Sequence, residues 1–184
     1  PLPSPKGRGE VGENLYPIEL NAADRWIVSR LNEVAAEVDV AFREYRFDLA
    51  AQAIYGFTWN EYCDWYLELS KVVLNDPKAS AAAQRGTRRT LVQVLESLLR
   101  LLHPITPFIT EEIWQRVAAL AGKTGATIMR EPYPQAELAA IDRQAVEEMR
   151  WVMSVIAGIR NIRGEMDIAP SKLLPVLLQN ASVQ

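Results

Sequence analysis

Apolar residues recur at intervals of three and four along five stretches of this chain, and polar or Pro/Gly-rich segments separate the stretches. The heaviest pattern is DLAAQAIYGFTWNEYCDWYLELSKVVL, Asp48 to Leu74. There Tyr55, Trp59, Tyr62, Tyr66, Leu69 and Val73 form one continuous stripe on a helix. Ala50, Ile54 and Phe57 make a second stripe, which turns polar at Glu61 and continues through Asp64, Glu68 and Lys71. A helix that is apolar on more than one side needs several neighbours to cover it, so the pattern predicts the central helix of a bundle.

The flanking stretches supply those neighbours. Asn21 reads as an N-cap with Asp24 in the first turn, and Ile27, Leu31, Val34, Val38, Ala41 and Tyr45 carry a helix to about Tyr45. Arg46 and Phe47 then make a corner so short that the first two helices should be antiparallel neighbours. The segment NDPKAS breaks the pattern at Pro77. A third helix is expected from about Ala81 to Leu102, burying Leu91, Leu95, Leu98 and Leu102 with Val94, Leu99 and Leu101 alongside, and carrying Glu96 and Arg100 as an i, i+4 pair. Thr106 caps a fourth helix with Pro107 at its first position; Ile109, Ile113, Val117 and Leu120 form its expected buried side, and Gly122 and Gly125 bracket its exit. After an extended Ile128 to Pro134, Asp142 caps a fifth helix through Val146, Met149, Val152, Ile156 and Ile159 that closes near Gly164.

The fold class is therefore mainly α: an antiparallel bundle of about five helices over residues 21–166. Residues 1–20, rich in Pro, Gly and charge, are expected to be a disordered leader. Beyond Pro170 the run LLPVLLQ reads as a strand, so residues 167–184 are expected to begin a small α/β segment whose partners lie outside this chain.

Composition narrows the chemistry. The chain has 184 residues and a formal net charge of −3, which argues against nucleic-acid binding by bulk attraction and leaves a local basic patch open. Cys63 is the only cysteine, so no disulfide can form within the chain; inside the aromatic helix it reads as an inert thiol. His103, the only histidine, precedes a proline at a helix end, where a structural role suits it better than that of a base. Glu61, Asp64 and Glu68 share one helix face, but no Glu-x-x-His pair supports a metal reading, so a solvated or salt-bridged face is favoured. There is no Gly-rich phosphate loop, G-x-S-x-G or C-x-x-C. No apolar run approaches the roughly 20 residues that span a membrane, and a reducing cytoplasmic setting is expected.

The arginines are more informative. Arg85, Arg88 and Arg89 crowd the first turns of the third helix, where positive charge opposes the macrodipole. Either the acidic face of the central helix or a phosphate backbone should offset that cost. At the first corner, Arg43, Arg46 and Phe47 combine guanidinium donors with an aromatic, the mixture that reads unpaired RNA loops; a solvated corner with a stapling Phe stands beside that reading. Arg25 and Arg30, and Arg160 and Arg163, add charge on the first and last helices.

Three blocks in order, ADRWIVSRL at 23–31, FTWNEYCDWYLELSK at 57–71 and LLHPITPFITEEIWQ at 101–115, resemble the anticodon-binding helical domain of bacterial valyl-tRNA synthetases. NIRGEMDIAPSKLLPVLLQ at 161–179 is similar to that family's passage into its small α/β segment. The resemblance implies recognition of the tRNA(Val) anticodon arm, with Arg43, Arg46, Phe47, Arg25, Arg30, Arg85, Arg88 and Arg89 as candidate contacts. It implies an aminoacyl-tRNA synthetase parent that uses ATP and Mg in a catalytic domain, and no cofactor here, because the parent's ATP-handling signatures and editing insert are absent. The expected partners are the anticodon arm and that catalytic domain, with the fragment monomeric. A helical protein-interaction domain without RNA binding is the alternative. One departure is that the family places a further helix before this bundle, where this chain has PLPSPKGRGEVGENLY.

Overall fold

The computed structural model describes residues 16–169 and 171–177 and divides into two compact units, residues 1–146 and 147–184. The first unit is built from helices α1 (Ala22–Arg43), α2 (Phe47–Gly56), α3 (Leu67–Asn75), α4 (Ala81–Leu102) and α5 (Pro107–Val117), and it contains the start of α6 (Arg143–Glu165). A π-helical section, Phe57–Tyr66, joins α2 to α3 without a break, so the predicted central helix is one rod. Counting that rod once, the described residues form five helices and no strand.

The π-helical section explains why the rod's sequence shows two stripes. The buried residues run Ala50, Ile54, Phe57, then Tyr62, Tyr66 and Ser70. In α geometry, residues five apart, such as Phe57 and Tyr62, lie about 140° apart around the axis. The wider π turn, in which the Leu67 N–H donates to Tyr62 O five residues back, brings the two rings toward one face. The core side thus passes from the second stripe to the first, leaving Tyr55 and Trp59 exposed.

Polar groups fix the helix directions. Asn21 caps α1 in a reciprocal capping box with Asp24. Asn21 Nδ2 also donates to Thr87 Oγ1 near the head of α4 (3.3 Å), and the Tyr66 hydroxyl donates to Asp24 Oδ1 (2.6 Å). At the other end Tyr133 donates to Leu101 O (3.1 Å) with its ring 6.1 Å from Phe42. Helices α1 and α4 therefore run parallel, with the rod antiparallel between their ends. Asp24 is fully buried and also accepts from Thr87 Oγ1 (3.0 Å) and the Asn21 N–H (3.1 Å). Burial and the Asp24 carboxylate both hold the Tyr66 hydroxyl protonated well above its ordinary range.

Several expectations are corrected. On α5 the buried residues are Thr110, Trp114 and, just beyond, Ala118, whereas Ile109, Ile113 and Leu120 are exposed. The reason lies on α4: Glu96 is buried, holds Arg100 through two hydrogen bonds of 2.8 and 2.7 Å, and accepts from Trp114 Nε1 (3.1 Å). That indole can satisfy the carboxylate only by facing inward, which turns the isoleucines out. On α4 itself the deepest line is Thr87, Thr90, Val94, Leu98 and Leu101, with Leu91, Leu95 and Leu102 half-buried.

Residues 16–20, expected in the leader, pack along α4: the Glu19 N–H donates to Ala82 O (3.1 Å), and Gly86 allows the approach, since a Cβ there would lie 2.0 Å from Glu19 O. Residues 1–15 lie outside the described part. Near Ile128 the chain forms a short 3-10 turn, Ile128–Arg130, rather than continuous extension. In the second unit α6 ends at Glu165, and residues 171–177 form no strand; the expected strand's remaining residues, 178 and 179, lie outside the described part.

Candidate nucleic-acid interface

The predicted arginines fall into three places. Arg25 and Arg30 lie along α1, each held by a carboxylate from elsewhere in the unit. Arg25 Nε reaches Asp142 (2.9 Å) and its Nη1 donates to Leu20 O (3.0 Å). Arg30 grips Glu61 with two hydrogen bonds of 2.7 and 2.9 Å and also pairs with Glu33. Only 26% of the Arg30 side chain is exposed, and the hydrogen-bonded Glu61 raises its pKa further. Withdrawing Arg30 would strand a half-buried carboxylate, so this guanidinium is committed to the fold.

The first turns of α4 hold the second group. Arg85 donates twice to Pro17 O (3.2 and 2.9 Å) and lies 5.5 Å from the centre of the Tyr16 ring. Arg88 donates to Gln84 Oε1 (3.4 Å), and Arg89 is exposed on the same turns. The acidic face of the rod is not what offsets Arg85 and Arg88: Glu61 is taken by Arg30 and Glu68 by Lys71. The residue 16–20 segment supplies Arg85's carbonyl and aromatic partner instead. By helix rise, Arg85 lies about 25 Å along α4 from Leu102, at the opposite end of the bundle from the first corner.

That corner holds the third group. Helix α1 stops when the Arg46 N–H reaches back to Ala41 O (2.8 Å) and the Tyr45 N–H to Phe42 O (3.2 Å), a Schellman closure with Tyr45 at φ 57°. The turn throws Tyr45 outward, 80% exposed, where its spacing from Ala41 predicts a buried residue. Phe47 opens α2, is 55% exposed and leans on Phe42 with ring centres 5.7 Å apart. Arg46 chelates Asp48 at 2.9 and 2.7 Å, and Arg43 reaches Asp39 at 2.7 Å; both guanidiniums stand more than half in solvent. The Arg46 guanidinium holds the Asp48 carboxyl below its ordinary range. Exposed pairs of this kind are screened and exchange readily for another anion.

The structure thus brings Arg43, Arg46 and Phe47 together, adds Tyr45, and sets Arg25, Arg30, Arg85, Arg88 and Arg89 apart from them. The α4–α5 turn lies at the same end and adds Phe108, which is 90% exposed. Phe108 stands off the inward line of Thr110, Trp114 and Ala118, which apolar spacing in the sequence did not reveal. His103 Nδ1 sits 2.8 Å from Thr110 Oγ1, tying the end of α4 to α5, as its structural reading expects. Burial and the adjacent Asp64 raise the Cys63 thiol pKa, which keeps it in the unreactive protonated form. Among the described residues no cluster of His, Cys, Asp and Glu could hold a metal ion, and no helix is long and apolar enough to cross a membrane.

The chain is 52% identical over 161 residues, 88% of its length, to the valine–tRNA ligase of Coxiella burnetii (strain RSA 493 / Nine Mile phase I). It spans 18% of that relative's length. Residues 24–178 match the anticodon-binding domain of tRNA ligase, and the chain belongs to that family.

Proposed function

We propose that this chain is the tRNA(Val) anticodon-arm recognition module of a valine–tRNA ligase. The observation that carries the reading is the α1–α2 corner, where two solvent-screened arginines flank two exposed aromatic rings on a packed bundle. Unpaired loops are bound by that combination: rings stack on splayed bases, and guanidiniums contact phosphates or base edges. The bundle keeps the corner's geometry before RNA arrives, which lowers the ordering cost of binding. The parent would attach valine to tRNA(Val) with ATP and Mg in a separate catalytic domain, act in the cytoplasm, and use this module, itself monomeric, for recognition rather than chemistry.

The test is fluorescence anisotropy with a labelled tRNA(Val) anticodon stem-loop over a range of salt. Affinity should fall steeply with salt as condensed counterions are retained on the RNA. Replacing the middle or third anticodon base should abolish the preference. Equal binding to any hairpin would overturn the reading.

The rival is a helical protein-interaction domain. It draws on a mainly apolar groove of about 580 Å³ between α1 and α2, lined by Val40, Ala41, Leu49 and Ala53 among others. Binding that follows the anticodon sequence would exclude it as the principal role.

A further inference from the structure

Three segments in the described residues close in the same way, with one residue in the left-handed region and paired backward hydrogen bonds. After α5 the closing residue is Gly122 (φ 75°), with Lys123 N–H to Ala118 O and Gly122 N–H to Ala119 O. After α6 it is Asp167 (φ 49°), with Ile168 N–H to Arg163 O and Asp167 N–H to Gly164 O. After α1 it is Tyr45 (φ 57°). Glycine adopts this conformation freely and aspartate tolerates it, whereas a bulky aromatic is strained there. Packing does not repay the strain at Tyr45, because the ring is 80% exposed. Its described ring contact is edge-on: the Tyr45 and Phe47 ring centres are 6.4 Å apart with the planes at 88°. Strain held at an exposed side chain points to a role outside the fold.

We propose that Tyr45 is a base-stacking residue for an unpaired nucleobase, distinct from the base that stacks on Phe47. This inference rests on the RNA-loop reading of the same corner. The left-handed closure fixes the direction in which the ring leaves the helix, and Phe47 braces its edge. The rings stand at right angles, so a base lying flat on one cannot lie flat on the other. Two splayed bases therefore find two separate faces, while Arg43 and Arg46 remain free to follow the backbone between them.

The experiment places 2-aminopurine at each loop position of the anticodon stem-loop in turn and follows its fluorescence quenching on titration with the intact chain. Four variants are compared: Tyr45→Gly, Tyr45→Asn, Tyr45→Phe and Phe47→Ala. Glycine and asparagine suit the left-handed closure, so both should melt no lower than the parent chain. Both should lose quenching at one loop position and weaken binding about tenfold, the scale of one base–aromatic stack. Tyr45→Phe should keep both, and Phe47→Ala should lose quenching at a different position. If Phe47→Ala weakens binding while Tyr45→Gly and Tyr45→Asn do not, the Tyr45 inference falls and the interface stands. If Tyr45→Gly lowers the melting temperature sharply, the ring is structural and the inference also falls. If the parent chain shows no anticodon preference, the functional reading itself fails.

Discussion

The two ends of the first unit treat charge in opposite ways. At the head of α1, Asp24 is enclosed by Tyr66, Thr87 and Asn21, and each donor comes from a different part of the unit. At the other end, Arg43 and Arg46 have carboxylate partners only two to four residues away, in solvent, beside Tyr45 and Phe47. The first arrangement ties three chain segments together, and losing one member leaves buried polar atoms without partners. The second adds little to the fold, because local exposed pairs are weak. Having a partner is therefore a poor guide to whether an arginine is available. What decides it is the cost of removing the partner, which is large for buried, long-range pairs and small for exposed, local ones.

The sharpest way to break this contrast is Asp24→Ala. The Tyr66 hydroxyl, the Thr87 hydroxyl and the Asn21 N–H would all lose their shared acceptor inside the protein. The expected cost is about 3 kcal/mol or more, measured by urea unfolding. RNA affinity per folded molecule should not change, because the corner lies at the other end. An affinity loss matching that of the corner variants would mean the ends are not independent.

Arg30→Ala comes next. Its bidentate partner Glu61 is partly exposed and water can reach it, so the expected loss is about 1–2 kcal/mol. A loss as small as that of a surface substitution would place Arg30 with Arg43 and Arg46 instead.

A pH series sharpens the same point without mutation. Burial raises the pKa of Tyr66, Tyr62 and Tyr133, the last to about 12. These hydroxyls stay protonated in the folded chain at pH values where an unfolded tyrosine, ordinarily near 10, has ionised. The unfolded state then binds fewer protons, so stability is fully present below about pH 10 and falls as pH rises through the folded values. The phenolate absorbance of Tyr62, Tyr66 and Tyr133 should accordingly rise together with unfolding, and Tyr66→Phe should reduce the alkaline loss. Titration of Tyr62 or Tyr66 near pH 10 in the folded protein would contradict the enclosure of the Asp24 end.

These contrasts also mark what could be read from sequence. The number of helices, their order, the Asn21 cap and the Pro107 start follow from local rules, and they hold. The buried face of α5 does not, because apolar periodicity ranks Ile109 and Ile113 above Thr110, and the deciding partner, Glu96, is on another helix. The π-helical section was hidden for a related reason: a fixed 3.6-residue period divides one winding core face into two stripes. At the corner, Arg43, Arg46 and Phe47 were legible as a composition. Tyr45 was not, because its spacing continues the α1 stripe while its backbone has already left the helix. Pairing across the fold separates Arg30 from Arg46, and side-chain type alone carries no sign of it.

Arg46→Ala gives the smallest expected change in stability and the most direct reading of the corner. Its side chain stands more than half in solvent and chelates Asp48, itself exposed and two residues away, so removing it opens no buried cavity and leaves no buried group unpaired. The melting temperature should stay within error of the parent chain. Asp48 would lose the neighbour that depresses its pKa, so its carboxyl should titrate closer to the ordinary value, an effect visible in a carboxyl chemical-shift titration. Stem-loop affinity should fall, and the slope of log affinity against log salt should become shallower by about one ion if Arg46 contacts a phosphate. An affinity loss with an unchanged slope would assign Arg46 to a base edge instead. No affinity loss, together with a Tyr45→Gly variant that still binds, would leave Arg43 and Phe47 as the corner's remaining candidate contacts.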